Sequence, residues 1–499
     1  MQIIGVFAIF GNRKTYFLLT VMKKGILIAV AAAVSLCGMA QKEITGEVLK
    51  QLQDGYSEQL QSPQGASMRA LHNAIGSNKL KSLALSHDNR ADKNTYFNTS
   101  VKTVGITDQK SSGRCWLFTG LNVLRQKMIT RHGYDKFEFS QIYLFFYDQL
   151  EKSNLFLQSI IDTRALPDDD TTVQWLFRNP VSDGGTYTGV ADLVNKYGLV
   201  PSGVMPENFQ SNNTSEFNRL LKSKLRQFGI NLREMAAKGV DEKQLEQQKV
   251  QMMAVVYRML ALNYGEPVKE FTWAPVQSDG QYVEAPKHYT PQEFYKQLLC
   301  SDDADNSFTG NLLDVVMLMN DPSRDYYKVY EIDLDRHSYE GHNWLYVNLP
   351  IDEIKLMAID CLKDSTAMYL SCDVAKCLNS ETGWLDLKNY DYESLFGTTF
   401  DMDKRQRILS FDSGSSHAMT LMAVDIDADG NPTKWKVENS WGEKSGHKGF
   451  LLMTDQWFNE YVFRLVVPRK YASKKVLKLL RDEKPVRLPA WDPMFLPEE

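Results

Sequence analysis

Cys115 is the residue in this chain best placed for nucleophilic chemistry. It stands in Asp108-Gln109-Lys110-Ser111-Ser112-Gly113-Arg114-Cys115-Trp116, where small residues feed an apolar stretch with helical spacing. A thiol at a helix N-terminus feels the positive end of the aligned peptide dipoles, which favours thiolate over thiol. Thiolate is the form that attacks a carbonyl carbon. Gln109 lies upstream across a tight loop and can aim its amide N–H at the same carbonyl oxygen. With the Cys115 backbone N–H it would form an oxyanion hole. Such a nucleophile needs a base and an orienting group, distant in sequence and adjacent in space. Ser415-Ser416-His417-Ala418-Met419 puts a histidine at the head of an apolar strand, and Val437-Glu438-Asn439-Ser440-Trp441-Gly442 puts an asparagine at the end of the next. A hairpin between them would let the Asn439 oxygen hold one imidazole nitrogen and leave the other for Cys115. Trp441 would shield that hydrogen bond from water, and Trp116 supports the nucleophile from the next position. Singly, a cysteine in an apolar helix or a histidine on a strand is ordinary core. Together they describe acyl transfer to a thiolate.

The elements that carry these groups follow from spacing. Residues 115–128 read as a buried helix, because Leu117, Leu121, Leu124 and Met128 recur at intervals of four, three and four. Ser111, Ser112 and Gly113 suit an irregular loop feeding its start. A second helix is expected over 140–155, and 97–108 looks extended. Residues 205–345 read as a charged insertion, with helices over 215–234 and 241–262. From 367 the pattern changes to short strands: 367–372, then 417–425 and 433–439 joined by the turn 426–432, then 449–453. Helices first and strands later predict an α+β protein with a helical lobe and a later antiparallel sheet lobe. The divisions expected are a helical arm (41–95), a helical lobe with the nucleophile (96–204), a helical insertion (205–350), a sheet lobe with His417 and Asn439 (351–470) and a tail (471–499).

In the order Gln109, Cys115, His417, Asn439-Ser440-Trp441-Gly442, the chain resembles the papain-like cysteine peptidases. It is closer still to the bleomycin hydrolase and aminopeptidase C family, over nearly the whole chain after about residue 90. Ser112-Gly113-Arg114-Cys115-Trp116-Leu117-Phe118 looks like that family's active-site segment, continued by Leu121-Asn122-Val123-Leu124-Arg125 and by residues 139–146. Asp183-Gly184-Gly185, residues 196–201, Phe271-Thr272-Trp273 and Leu488-Pro489-Ala490-Trp491-Asp492-Pro493-Met494 match it further. The resemblance implies a papain-like core with helical insertions and a homo-hexameric barrel with inward-facing sites. It also implies a cysteine aminopeptidase that works through an acyl-enzyme on peptides with free N-termini. Gly184 and Gly185 would meet the substrate, Gly185 by backbone pairing. The C-terminal tail would lie in the cleft, block its non-primed side and anchor the substrate's amino group, with Glu499 at its end. This chain departs from the family in ending Phe-Leu-Pro-Glu-Glu after Met494, in Gly-Ser-Ser before His417, and in its N-terminus. If the altered tail leaves the cleft open, the same chemistry would make an endopeptidase. A peptide- or nucleic-acid-binding barrel with little hydrolysis is the reading from another class.

That N-terminus reads as an address. Lys23 and Lys24 precede an apolar run over 26–36, followed by Gly38-Met39-Ala40, the pattern of a secretory signal cleaved after Ala40. The run is short for a membrane span of about 20 residues, so a membrane is a partner only if the signal stays uncleaved or Cys37 is lipidated. Met22 reads as the true start, and export to the periplasm or medium is expected. Five cysteines would then remain, an odd number, and Cys361 and Cys372 lie among apolar residues as buried thiols would. Residues 1–40 hold four basic groups and no acidic ones; without them 53 basic residues face 62 acidic ones, a balance of −9 that disfavours nucleic acid. Hydrophobic residues at 43% allow a large core. No C-x-x-C or H-E-x-x-H occurs, and the five-residue spacing of His337 and His342 has no companion cysteine, so neither a metal nor a cofactor is expected. Asp425-x-Asp427-x-Asp429-Gly430 imitates the start of a calcium loop, but Lys436 stands where a bidentate Glu is required. Asp-Gly there reads as a hairpin turn.

Overall fold

The computed structural model describes residues 43–90, 94–134, 136–277, 279–299 and 311–495. The expected signal and Cys37 lie outside these residues, as do Cys300 and Glu499. The chain divides into two units, the second beginning at Ala84. The first holds helices α1 (Gly46–Gln61), α2 (Gly65–Ser77) and α3 (Leu80–Leu83). The Thr45 side chain caps α1 by accepting from the Val48 N–H. Gly65 is required between α1 and α2, because a Cβ there would sit 1.8 Å from the Leu60 carbonyl oxygen.

The second unit packs helices on a twelve-stranded sheet. Its helices begin with α4 (Cys115–His132), α5 (Gln141–Asp162), α6 (Thr171–Arg178), α7 (Tyr187–Tyr197), α8 (Thr214–Ala237) and α9 (Glu242–Tyr264). They continue with α10 (Pro291–Leu299) and α11 (Ile351–Lys363). The strands are β1 (Thr99–Ser100), β2 (Val315–Met319), β3 (Lys328–Ile332), β4 (Leu345–Asn348), β5 (Met368–Cys372) and β6 (Leu378–Asn379). They continue as β7 (Trp384–Leu385), β8 (His417–Ile426), β9 (Pro432–Glu438), β10 (Phe450–Thr454), β11 (Val462–Pro468) and β12 (Val486–Leu488). Their order is β12-β3-β4-β2-β11-β5-β8-β9-β10-β7-β6, with β1 added to β8. This is the α+β, papain-like arrangement expected.

α4 is buried on nearly all sides, from Trp116 through Ile129, which is why its leucine repeat underestimates its apolar face. Gly133 ends it at φ +68, its N–H returning to the Ile129 carbonyl at 2.9 Å. β8 is buried along its first eight residues because it separates two cores. Ala418 packs in the core of α4, while Met419 and Leu421 point into the core shared with Ile354 and Met357 of α11.

One expectation is corrected. The stretch 205–350 is helical only in part: β2, β3 and β4 lie between 315 and 348 and join the main sheet. Val315-Val-Met-Leu-Met is a continuous apolar run whose partner, β11, comes much later in sequence, with Met319 opposite Arg464. Periodicity alone does not separate such a run from a buried helix segment. The tail is also structured: a helix over Lys474–Asp482 carries Lys474, Lys475, Lys478 and Arg481, and β12 pairs parallel with β3 before the chain turns inward.

Candidate active site

Cys115 is the first residue of α4, preceded by Arg114 as N-cap. The entry loop is fixed from three sides. Arg114 is fully buried and forms a two-pronged pair with Glu207, at 3.0 and 2.7 Å, and its guanidinium lies over Phe118 and Phe145. The Gly113 N–H donates to Asp183 at 2.8 Å, and the same carboxylate accepts from Thr214. Trp116 donates its indole N–H to the Asp183 carbonyl at 2.8 Å.

His417 opens β8, and Asn439 follows the last residue of β9. The antiparallel register, Thr420 opposite Glu438, brings them to one end of the hairpin. His417 Nε2 is 2.9 Å from Asn439 Oδ1. That oxygen also accepts the Ser440 backbone N–H at 2.8 Å, so it is an acceptor, and the imidazole proton sits on Nε2. The lone pair is therefore on Nδ1. Both side chains are buried, and the Trp441 ring covers the imidazole at 4.9 Å between centroids. Burial pushes His417 down to about 4, against the Asn439 hydrogen bond that favours its charged form.

Gln109 is tied to the same strand end. Its backbone N–H donates to the Ser440 carbonyl at 2.8 Å. The Ser440 hydroxyl donates to Gln109 Oε1 at 2.6 Å, and Nε2 donates one hydrogen to the Ser112 carbonyl at 2.6 Å. The amide nitrogen is thus oriented with its second hydrogen uncommitted by those bonds. Gln109, Cys115 and His417 line one cavity of about 550 Å³, which also takes in Gly184, Gly185, Ala490 and Met494. The tail reaches it through Arg324, paired with Asp492, and through Arg464, which donates to the Met494 carbonyl at 2.8 Å.

The two glycines differ. Lys152 donates to the carbonyls of Ser182 and Gly184, at 3.1 and 2.6 Å, so the Gly184 carbonyl faces inward. The carbonyls of 182, 183 and 184 are all taken from behind, and no described residue bonds the backbone of Gly185. His337 closes this wall from below: the Thr186 N–H points to its Nε2 at 3.4 Å, and its Nδ1 bonds Asp148. Asp148 also pairs with Lys152 at 2.9 Å. Burial works against its carboxylate, but Lys152 and His337 beside it hold the group below the ordinary range.

Of the residues singled out in the sequence, Gln109, Cys115, Gly184, Gly185 and His417 line this cavity; Asn439 and Trp441 stand behind His417, Trp116 is buried beside Cys115, and Glu499 lies outside the described residues. Sequence reasoning missed Ser440 as the anchor of Gln109, Asp183 as the brace of the entry loop, and the Asp148–Lys152–His337 group. Ser440 and Asp183 sit inside matched motifs, which is a signal that they are placed for a reason. Among the described residues no cluster of potential metal ligands occurs.

Comparison with known proteins gives one family. Residues 45–495 match the model of the Peptidase C1-like family. The chain is 40% identical over 396 residues to bleomycin hydrolase of Homo sapiens, covering 78% of this chain and 85% of that protein. It is 35% identical over 426 residues to aminopeptidase C of Lactobacillus delbrueckii subsp. lactis, covering 85% and 92%. The crystal structure of PepW from Lactobacillus rhamnosis HN001 superposes with a TM-score of 0.84 at 34% identity, covering 91% of this chain and 99% of that one.

Proposed function

Since this chain belongs to the peptidase C1-like family and is a cysteine peptidase, we propose that it is a thiol aminopeptidase acting on peptides with free N-termini through Cys115, His417 and Asn439. The observation that carries this reading is the Asn439-held imidazole, its lone pair on Nδ1, in a cavity shared with Cys115 and with the C-terminal tail.

Burial makes a lone imidazolium at His417 costly. The cation is therefore made together with its counter-charge: Nδ1 takes the Cys115 proton, and thiolate and imidazolium titrate as a pair. The thiolate attacks the scissile carbonyl. Gln109 Nε2 and the Cys115 backbone N–H, at the start of α4, stabilise the oxyanion. Collapse breaks the C–N bond, the leaving amine takes the proton from Nδ1, and a thioester remains on Cys115. Water, deprotonated by His417, then attacks the thioester and releases the acid and the thiol. Gly185 pairs with the substrate backbone, and Gly184 shapes that strip.

The tail makes this an aminopeptidase. Ala490 and Met494 line the cavity, so the described part of the tail stands where it can restrict the non-primed side and confine cleavage to substrates with free N-termini. The names of two relatives, aminopeptidase C and aminopeptidase G, support that reading. A homo-hexamer and export directed by residues 22–40 complete the proposal, the first resting on family resemblance and the second on the signal pattern. Among the described residues no helix is long and apolar enough to cross a membrane.

The test is hydrolysis of matched aminoacyl and peptidyl amides with free or acetylated N-termini, with Cys115→Ala as control. Cleavage confined to free amines is expected. Equal cleavage of blocked peptides would make the chain an endopeptidase, and no Cys115-dependent cleavage would end the enzymatic reading.

A further inference from the structure

Three carboxylates line the cavity: Asp183, Asp333 and Asp335. Asp183 accepts from Gly113 and Thr214, and Asp333 accepts from Arg487 at 3.2 Å. Asp335 differs. The residue is half-buried, yet its Oδ2 is sheltered from water and has no hydrogen-bond partner among the described residues. Its backbone is fixed where the chain leaves β3, the carbonyl accepting the Trp344 N–H at 3.0 Å. Of the cations near enough to be felt, Lys152 and His337 bond Asp148, and Arg464 donates through one terminal nitrogen to the Met494 carbonyl; none of them donates to Asp335 Oδ2. Burial pushes the Asp335 carboxyl up, against their pull. Asp335 lines the same cavity as Cys115, His417 and Tyr369.

We propose that Asp335 is a cation subsite of the cleft, completed by an ammonium or guanidinium group of the bound peptide. A carboxylate that has lost water at one oxygen and gained no donor is short of charge compensation. A docked cation supplies it through a charge-assisted hydrogen bond to Oδ1, the oxygen of the pair that is not closed off. The source is either the substrate's α-ammonium or a basic side chain. The inference rests on the cleft being the peptide site proposed above, but not on turnover.

Binding is therefore read by calorimetry on the full-length Cys115→Ala chain, with and without Asp335→Asn. The probes are lysyl-alanine amide, norleucyl-alanine amide and Nα-acetyl-lysyl-alanine amide. If the α-ammonium is the ligand, the first two bind and the acetylated one does not. If the side chain is the ligand, the first and third bind and the norleucyl one does not. In either case Asp335→Asn weakens the preferred probes by roughly tenfold to a hundredfold, the worth of one charge-assisted hydrogen bond. Asp335→Ser serves as a second variant with the same expectation. Affinities within twofold across these variants would overturn the proposal, and so would equal binding of all three probes to the Cys115→Ala chain. Because no hydrolysis is needed, a failure of the aminopeptidase reading remains distinguishable.

Discussion

Replacing Gly185 by alanine should damage this protein far more than replacing Gly184. A Cβ at Gly185 would lie 2.3 Å from His337 Cε1 and 2.8 Å from Trp116 Cδ2. Neither ring can give way cheaply. Trp116 is pinned by its bond to the Asp183 carbonyl, and His337 by Asp148. The strip over 182–186 must instead move by about 1 Å to restore van der Waals separation, and overpacking of this kind costs about 1–3 kcal/mol. The same displacement moves the backbone that would hold the substrate, and a shift of that size costs roughly a hundredfold in rate. At Gly184 the nearest atom to a new Cβ is Ser182 Oγ at 4.0 Å, an ordinary contact. Gly184→Ala should stay within roughly 0.5 kcal/mol of the parent. Urea unfolding and kcat/KM on a free-amine substrate measure both effects, with Cys115 alkylation reporting on the nucleophile alone. Equal behaviour of the two variants, or full kcat/KM in Gly185→Ala, would refute the assignment of this wall.

Gln109→Ala should lower kcat by roughly 10²–10³ with little change in KM, because its amide acts on charge that develops only in the transition state; steady-state kinetics decides it. Arg125→Met should cost about 3–5 kcal/mol in urea unfolding, since it strands the buried Glu438 carboxylate. Adding Glu438→Gln should recover most of that loss. In Cys115→Ala no thiolate faces His417, and its pKa lies near 4 when folded against 6.5 ordinarily. The unfolded chain then binds the proton first. Stability should be fully present above about pH 6.5 and fall by roughly 3 kcal/mol as the pH drops towards 4, measurable as acid-dependent unfolding absent from a Cys115→Ala/His417→Gln control.

The candidate site was legible because its signals are local. A loop of small residues before Cys115, a histidine opening an apolar strand and an asparagine closing the next are each readable within about ten residues, and the hairpin supplies their meeting. What stayed hidden depends on long-range pairing. β2 is a continuous apolar run that becomes a strand only against β11. His337, set aside in the sequence as a metal ligand because it has no companion cysteine, is buried against Asp148, which lies on α5 far upstream. Lys152 is four residues from Asp148 on that helix, so the pair could be suspected, but not the carbonyls of Ser182 and Gly184 that it holds. Asp335 gave no signal, since an unpartnered carboxylate is recognisable only when its surroundings are known.

The central claim is that His417 makes and keeps the Cys115 thiolate. Its most direct test is the pH dependence of Cys115 alkylation by iodoacetamide, read at that residue by peptide mass mapping, in the parent chain and in His417→Ala. Cys361 and Cys372 are buried and should stay unlabelled in both. The account predicts fast, nearly pH-independent labelling of the parent through the neutral range. In the variant, labelling should be slow at neutral pH and rise steeply with pH, towards the range of an ordinary thiol at about 8.5 and short of it only by what the helix N-terminus contributes. Superimposable profiles for the two chains would contradict it.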